Sequence, residues 1–396
     1  MNDIVLPSAY RFAGVHCGVR PERGRPDLAL IVSDRPAAAA GVFTQNRVVA
    51  APVVLCRRRL PRSDARGVVV CSGNANACTG EQGHRDAERM STLAAQAVGC
   101  RPEQMLVAST GVIGRPLPMQ NIETGIRTAA AALADTPDAF QCAAQAILTT
   151  DTRVKIDGRT LALSAGEVRL VGFAKGAAMI GPNLATMLAF LVTDAAVAPP
   201  QLHDILRRAA DKSFNRISVE GHTSTNDTVL LFANGTGPSL TGDDLHRFGA
   251  AVSEICVELA RFIAADGEGS KHLVTIVVEG LRTDDEARRV AKAVADSALV
   301  KTAIYGADPN WGRFVSAAGY AGVEFEEKDV SCMLGDIPLY RAGMPLPFDA
   351  AAASAYLKDN REVILRLTFS LGTAGCTFWT CDLTPEYVRL NADYTT

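Results

Sequence analysis

Short apolar runs alternate with longer amphipathic segments through the first half of the chain, and this alternation constrains the fold most. Residues 86–98 repeat apolar side chains at helical spacing and end at Gly99. Other segments follow the same two patterns, with strand-like runs at 27–33, 67–71, 168–174 and 186–193 and a helix-like run at 242–264. Comparable helix and strand content predicts a mixed α/β or α+β fold.

The length of the chain indicates more than one structural unit. Its 396 residues suggest two or three subdomains, although one large α/β unit remains open. Thr283 and Glu286 have the spacing of a capping box that opens a helix. This helix and the strand-like run at 363–370 could belong to a separate C-terminal unit, which we expect to extend from about 280 to 396.

Charge and residue usage exclude several functional classes. The formal net charge of −3 lacks the basic field that nucleic-acid binding needs. We find neither a run of 18 apolar residues nor a signal-peptide pattern. The ten cysteines form no CxxC pair, and the six histidines show no paired spacing. These features predict a reduced, cytoplasmic protein with no metal site, no nucleic-acid partner and no membrane span.

Loops rich in glycine and polar side chains separate the predicted elements. They are SGNANACTG (72–80), ASTGVIG (108–114), TTDT (149–152), GHTSTNDT (221–228), DGEGSK (266–271) and GADPNWGR (306–313). Taken singly, such loops are typical of helix caps and Asx turns. DGEGSK lacks the spacing of a Walker loop and ASTGVIG is not a GxSxG elbow, so the loops alone assign no chemistry.

Thr186 begins the apolar run within KGAAMIGPNLATMLAFLVTD, residues 175–194. A threonine at the start of a buried strand is common and by itself indicates nothing further. Here the preceding loop consists mainly of small residues, contains one cation, Lys175, and places Ala185 directly before the threonine. Such a bare backbone permits close approach of other backbone groups, and also attack of the Thr186 hydroxyl on the Ala185 carbonyl.

This segment resembles the self-cleavage segment of the ornithine acetyltransferase family, the glutamate N-acetyltransferases of arginine biosynthesis. The polar loops look like further family blocks in family order, as do GVFTQNRVVAAPV (41–53), SFNRISVEGHTSTNDTVL (213–230) and the ending CDLTPEYVRLNADYTT (381–396). The resemblance covers nearly the whole chain. It implies an αββα-type sandwich with a smaller C-terminal domain, made as a precursor that cuts itself between Ala185 and Thr186.

Cleavage would produce an α chain, 1–185, and a β chain, 186–396, which in this family usually assemble as an α2β2 heterotetramer. Thr186 would be an N-terminal nucleophile, because its own α-amine, with a reference pKa near 8, can take the hydroxyl proton. The resemblance implies a ping-pong transfer of acetyl from N-acetylornithine to glutamate through acetyl-Thr186. It also implies that the Thr110 hydroxyl and the Gly111 N–H form the oxyanion hole.

The resemblance further implies substrate-binding roles for residues that are distant in the sequence. These residues are Thr149, Lys175, Thr186, Glu268, Asn391 and Thr396. The substrate carries charges of both signs, so we expect Lys175 to pair with its carboxylate and Glu268 with the ornithine amine. No cofactor is expected. Some family members also accept acetyl-CoA as a substrate, and no residue decides whether this chain does.

Three positions depart from the family pattern. Ala178 stands where glycine is usual, which could slow maturation if this residue needs a positive φ. His222 stands where an acid is expected, and Gly181 is a variant. Two other interpretations stay open: a related self-processing amidohydrolase or aminopeptidase that uses water as the acceptor, and an uncleaved amino-acid-binding protein. The family-like ending NADYTT favours the acetyltransferase.

Overall fold

The computed structural model describes residues 4–20, 24–181 and 187–393. Ala185 and Thr186 at the predicted cleavage site, and the predicted substrate contact Thr396, lie outside these ranges. The described residues form a mixed α/β structure with two β-sheets, one of eight strands and one of six. This arrangement confirms the predicted fold class.

The larger sheet is formed by residues 10–233. Its strands are β1 (Tyr10–Val15), β2 (Leu28–Phe43), β3 (Arg62–Asn74), β4 (Met105–Val112), β5 (Lys155–Leu163), β6 (Gly166–Lys175), β7 (Leu188–Thr193) and β8 (Thr228–Ala233). They follow the order β4-β3-β2-β8-β7-β6-β5, and β1 pairs with β2 off this path. β2 is long and pairs with two neighbouring strands: its first half pairs with β3 and its second half with β8.

Helices cover this sheet on both sides. They are α1 (Ala51–Arg59), α2 (Gly80–Val98), α3 (Met119–Ala131), α4 (Pro137–Ala146), α5 (Pro199–Lys212) and α6 (Gly242–Ala265). The first four pack on β1 to β4, whereas α5 packs on β2 and α6 packs on β5 and β6. Two buried clusters result, one beneath α1 to α4 and one beneath α5 and α6.

β7 shows why the apolar run after the predicted cleavage site becomes a central strand. All six of its residues are buried. Phe190 and Val192 belong to the cluster beneath α1 to α4, whereas Ala189 and Leu191 belong to the cluster beneath α5 and α6. A strand covered on both faces has no solvent-exposed side, so its sequence is continuously apolar.

The second sheet has its own hydrophobic core. Its strands are β9 (Leu273–Leu281), β10 (Val330–Leu334), β11 (Ile337–Arg341), β12 (Met344–Pro345), β13 (Glu362–Phe369) and β14 (Ala374–Cys381), in the order β12-β11-β10-β13-β9-β14. The helices that follow β9 in the chain are α7 (Asp284–Asp296), α8 (Ala298–Tyr305), α9 (Trp311–Gly319), α10 (Ala350–Asp359) and α11 (Pro385–Asp393). α7 begins where the sequence predicts, because Thr283 Oγ1 accepts the Glu286 N–H at 3.2 Å. No helix within the described ranges is long and apolar enough to cross a membrane.

Candidate active site

The predicted cleavage segment leaves and re-enters the larger sheet at one edge. β6 ends at Lys175, and its antiparallel partner in the register is Leu188, the first residue of β7. Leu188 also pairs with Thr228 at the start of β8, which runs parallel to β7. The residues that flank the segment are therefore close neighbours, and the side chains that reach this edge decide its chemistry.

Thr110, near the end of β4, reaches the same edge. Lys175 Nζ lies 3.4 Å from Thr110 Oγ1, and both residues are only 2% exposed. Burial lowers the pKa of Lys175, the carboxylate of Asp151 opposes this shift, and the charge of Lys155 reinforces it. Lys175 is thus a buried cation beside the hydroxyl that is predicted for the oxyanion hole.

Asp151 connects Lys175 to the loop TTDT. Its Oδ1 accepts hydrogen bonds from Lys155 Nζ and from the Gly176 N–H, both at 2.6 Å. Its Oδ2 accepts the Thr149 N–H at 3.0 Å. Burial alone would raise the pKa of Asp151, but the charges of Lys155 and Lys175 hold it well below the usual value for an aspartate. The ionised carboxylate therefore balances two buried ammonium groups.

Lys155 extends this network to the loop DGEGSK. Its Nζ is 2.6 Å from Asp151 Oδ1 and 2.6 Å from Asp266 Oδ2, and the side chain is fully buried. Asp266 also accepts hydrogen bonds from the N–H and the hydroxyl of Thr152. Lys155 and Asp266 are 111 positions apart in the sequence. The network therefore brings two distant polar loops to the side of Lys175.

Gly111 follows Thr110 and lies where a side chain would not fit. Its φ is +130°. A Cβ atom at this position would lie 2.3 Å from the carbonyl carbon of Gly73 and 2.6 Å from the Asn74 nitrogen. Gly73 is the partner of Gly111 in the parallel pairing of β3 with β4. Any other residue would force the two strands apart, so glycine is needed for the backbone of this edge.

Glu268 and Asn391 meet further from the buried network. The Glu268 N–H donates to the Ala177 carbonyl at 2.9 Å, which holds this loop beside the residues that follow Lys175. Asn391 Nδ2, on the exposed helix α11, donates to Glu268 Oε2 at 2.9 Å. The predicted site residues in the described ranges thus fall into two groups. We call Thr110, Gly111, Thr149 and Lys175 the inner group and Glu268 and Asn391 the outer group.

The backbone before the cleavage segment has its unusual conformation at Met179, not at Ala178. Met179 has a φ of +58°, whereas Ala178 is not among the residues with positive φ. The predicted difficulty with an alanine at position 178 therefore does not arise. Gly181 has a steric reason to be glycine, because a Cβ there would lie 2.6 Å from the carbonyl carbon of Gly221.

Two acids hold the backbone on either side of the cleavage segment. Glu220 Oε1 accepts the Ile180 N–H, and Asp227 Oδ1 accepts the Met187 N–H at 3.1 Å. Burial raises the pKa of Glu220 to about 8 and raises the pKa of Asp227 well above its usual value. His222, where the family pattern suggests an acid, is exposed. Glu220 and Asp227 therefore place buried carboxyl groups beside the flanks of the segment.

Sequence patterns assign no role to five charged side chains of this edge. They are Asp151, Lys155, Glu220, Asp227 and Asp266. The available signal is their position in or next to the polar loops, since TTDT, GHTSTNDT and DGEGSK contain three of them. Nothing local pairs Lys155 with Asp266, because that contact depends on how two distant loops fold together.

Several proteins that are similar to this chain over nearly its whole length are named arginine biosynthesis bifunctional protein ArgJ. The ArgJ family model matches residues 11–396. The arginine biosynthesis bifunctional protein ArgJ of Symbiobacterium thermophilum is 47% identical over 400 residues, covering 100% of this chain and 99% of that protein. The protein of the same name from Rhodopirellula baltica is 45% identical over 397 residues, covering 99% and 97%. A crystal structure of arginine biosynthesis bifunctional protein ArgJ from Bacillus halodurans is 40% identical, with a TM-score of 0.49, over 51% of this chain and 96% of that chain. The resemblance seen in the sequence is confirmed, and the chain belongs to the ArgJ family.

Proposed function

We propose that this chain is an acetyltransferase of arginine biosynthesis that moves acetyl from N-acetylornithine to glutamate through acetyl-Thr186. Its full-length relatives are named arginine biosynthesis bifunctional proteins. The observation that carries the proposal is the 3.4 Å contact of Lys175 Nζ with Thr110 Oγ1, at the edge where the chain continues from Thr186 into β7. An ammonium can only donate, so Thr110 Oγ1 accepts from it and keeps its own hydrogen for a developing oxyanion.

Self-cleavage would create both the nucleophile and its base. The Thr186 hydroxyl attacks the Ala185 carbonyl, the C–N bond breaks to leave an ester, and water hydrolyses this ester. The products are a carboxylate on Ala185 and a free amine on Thr186. This amine can take the proton of the adjacent hydroxyl, which a peptide nitrogen cannot do. The α chain would comprise residues 1–185 and the β chain residues 186–396.

Acetyl transfer would follow in two half-reactions. Thr186 Oγ adds to the acetyl carbonyl of N-acetylornithine, and ornithine leaves with the proton that the Thr186 amine took from the hydroxyl. The amine of glutamate then attacks the acetyl ester, and N-acetylglutamate leaves while the Thr186 hydroxyl regains a proton. We assign the Thr110 hydroxyl and the Gly111 N–H to both oxyanions. A donor of this kind typically contributes about 3–4 kcal/mol to transition-state stabilisation.

The charges of the two groups match those of the substrates. Lys175 has three donors, so it can serve the substrate carboxylate as well as Thr110, with Thr149 nearby. Glu268 offers an anion for the ornithine side-chain amine, and the Asn391 amide at 2.9 Å orients its Oε2. We assign Thr396 to the same site on the basis of the resemblance alone.

We propose an α2β2 heterotetramer built from two cleaved precursors and acting in the cytoplasm. The chain would need no cofactor, since its own hydroxyl, amine and oxyanion donors supply every group that acyl transfer uses. Acetyl-CoA could acetylate the same Thr186 hydroxyl as a second donor.

Mass spectrometry under denaturing conditions tests the proposal first. The uncut chain has a mass of 41.9 kDa, and cleavage before Thr186 would leave pieces of roughly 20 and 22 kDa by their shares of the chain length. We expect the larger piece to gain one acetyl group from N-acetylornithine and to lose it when glutamate is added. A hydrolase would lose the acetyl group without glutamate. A chain that stays intact would contradict the nucleophile assignment and favour an uncleaved amino-acid-binding protein.

A further inference from the structure

His272 and Asp382 form a buried pair next to the outer group of the candidate site. His272 directly precedes β9 and is 8% exposed, and Asp382 directly follows β14 and is 3% exposed. The Nδ1 atom of His272 lies 2.8 Å from Asp382 Oδ2, and its Nε2 atom lies 2.9 Å from the Leu357 carbonyl oxygen of α10. An ionised carboxylate and a carbonyl oxygen only accept hydrogen bonds, so both ring nitrogens must donate. His272 is therefore an imidazolium.

The groups around His272 favour this cation. The hydrogen bond to Asp382 raises the pKa of the ring, while burial and the charge of the exposed neighbour Lys271 act in the opposite direction with a smaller total effect. The Leu357 carbonyl belongs to the last turn of α10, where the helix dipole favours a positive charge. Arg361 directly precedes β13 nearby, but its guanidinium donates to a backbone carbonyl at the end of α6.

Asp382 uses its other oxygen to hold the backbone of the loop DGEGSK. Its Oδ1 accepts the Lys271 N–H at 2.8 Å and the His272 N–H at 3.1 Å. Thr384, two residues further on, donates its hydroxyl to the Gly269 carbonyl at 2.8 Å. A Cβ atom at Gly269 would lie 2.6 Å from a backbone nitrogen in the first turn of α11. The loop is thus clamped between the segment after β14 and the start of α11.

This clamp determines where Glu268 lies. The Glu268 N–H donates to the Ala177 carbonyl at 2.9 Å, and its Oε2 accepts from Asn391 Nδ2 of α11 at 2.9 Å. A neutral ring at His272 could donate from one nitrogen only, so deprotonation removes one of its two hydrogen bonds and leaves Asp382 buried without this counter-charge. Both changes weaken the connection between the loop and α11.

We infer, on the basis of the proposed function, that His272 is a positioning residue whose imidazolium holds Glu268 in place for the side-chain amine of N-acetylornithine. Deprotonation of His272 weakens the binding of this acetyl donor. Glutamate has no side-chain amine, so its half-reaction is spared. The buried pair therefore makes the donor step, and not the acceptor step, sensitive to alkaline pH.

Two substitutions of His272 test the inference. His272→Lys supplies a cation that stays charged up to about pH 10, whereas His272→Gln keeps a hydrogen-bond donor without the charge. His246→Gln is the control, since His246 is exposed on α6. Cleavage of each variant is first confirmed by intact mass. The values of kcat and of kcat/KM for each substrate are then measured from about pH 6 to about pH 9.

We expect H272Q at about pH 7 to lose about tenfold in kcat/KM for N-acetylornithine, with less than about twofold change in kcat and in kcat/KM for glutamate. H272K should match the wild type at this pH. As the pH rises, the wild type loses its imidazolium and should fall below H272K with N-acetylornithine but not with glutamate. Other titrating groups are common to both proteins and cancel in this ratio. H246Q should follow the wild type.

Nuclear magnetic resonance gives a readout that does not depend on activity. The Cε1 proton signal of His272 is the one that disappears in H272Q, and its shift reports the protonation of the ring. We expect it to titrate at a higher pH than the signal of the exposed His246, because the hydrogen bond to Asp382 favours the cation.

Three results would overturn the inference. They are a ratio of wild type to H272K that stays constant with pH, an equal loss for both substrates in H272Q, and a His272 signal that titrates no higher than that of His246. Failure of the proposed function is distinguishable, because the wild-type protein itself would then remain uncut or transfer no acetyl group. Calorimetric binding of ornithine would still test His272 in that case, since H272Q should bind it about tenfold more weakly than the wild type.

Discussion

The inner and outer groups of the candidate site differ in what surrounds their charges. In the inner group, Lys175 is buried, and its neighbour Lys155 is enclosed between two aspartates. In the outer group, Glu268 is partly exposed and Asn391 lies on an exposed helix. Removal of a buried charge leaves its partners unpaired at low dielectric, whereas water compensates a loss at the surface. We therefore expect the inner group to govern stability and rate and the outer group to govern substrate affinity.

Asp151→Asn should have the largest effect, on the stability of the fold. It leaves Lys155 and Lys175 with one counter-charge fewer, which should lower the free energy of unfolding by about 3–5 kcal/mol. Because the folded protein lowers the pKa of Asp151, its contribution is present at neutral pH and is lost as the pH falls through the folded pKa. Urea unfolding measures both effects.

The control for this prediction is Asp285→Asn. Asp285 pairs with Arg288 at the surface, and its side chain is 60% exposed. Its loss should change the free energy of unfolding by less than about 1 kcal/mol. Equal losses in the two variants would contradict the idea that the buried charges around Asp151 contribute more to the free energy of unfolding than a surface ion pair does.

Lys175→Met should mainly remove activity. The methionine keeps the buried volume but donates nothing to Thr110 Oγ1, so kcat should fall by about 10²–10³-fold. Stability should change less than in D151N, because Asp151 retains Lys155 at 2.6 Å. Cleavage is first confirmed by mass, and steady-state kinetics then measure the loss of kcat. Lys301→Met is the control, since Lys301 is also buried but donates to Thr380 in the second sheet at 2.9 Å. An equal loss of kcat in K301M would contradict a specific role for Lys175.

Glu220, at the flank of the cleavage segment, should make stability depend on pH. Its pKa is raised to about 8 from 4.5, so between these values the folded chain holds a proton that the unfolded chain has lost. Stability therefore falls as the pH rises through this window, by up to about 1.4 kcal/mol per pH unit. Glu220→Gln removes this titration and should gain roughly 2–4 kcal/mol over the wild type between pH 5 and pH 8.

Thermal and urea unfolding at about pH 5 and about pH 8 check the Glu220 prediction. The exposed Glu167→Gln variant serves as the control, because the Glu167 side chain is 57% exposed and should not alter the pH trend. An E220Q variant that loses stability with pH in parallel with the wild type would show that Glu220 is ionised in the folded chain.

Asn391→Ala should have the smallest effect, and on KM rather than on kcat. The hydrogen bond from Asn391 to Glu268 joins two solvent-accessible groups, so its loss should cost about 1 kcal/mol, or roughly a fivefold rise in KM for N-acetylornithine. Asn360→Ala is the control, since Asn360 is exposed and donates to the Tyr356 carbonyl at 2.9 Å. A lower kcat with unchanged KM in N391A would place Asn391 in the chemical step.

Hydrophobic periodicity predicted several elements of the fold well. The helix expected at 242–264 matches α6 to within one residue, and the run expected at 186–193 contains β7. These elements bury one or both faces, so their apolar pattern is visible locally. β2 was harder to predict, because it continues past position 33 to Phe43, where its second half pairs with the distant strand β8. The extension of β2 depends on its pairing with β8, which no local sequence pattern indicates.

The sequence by itself determined the family, because ordered blocks such as TTDT and DGEGSK, and the apolar run after Thr186, are properties of neighbouring residues. Only the tertiary structure decided that Lys175 is buried against Thr110, that Lys155 links Asp151 to Asp266, and that Asp227 accepts the Met187 N–H. The physical reason is that these contacts join strand ends and loops far apart in the chain. Burial in the packed structure shifts the pKa values of these charged groups and strengthens the electrostatic interactions between them. No local sequence pattern records this burial.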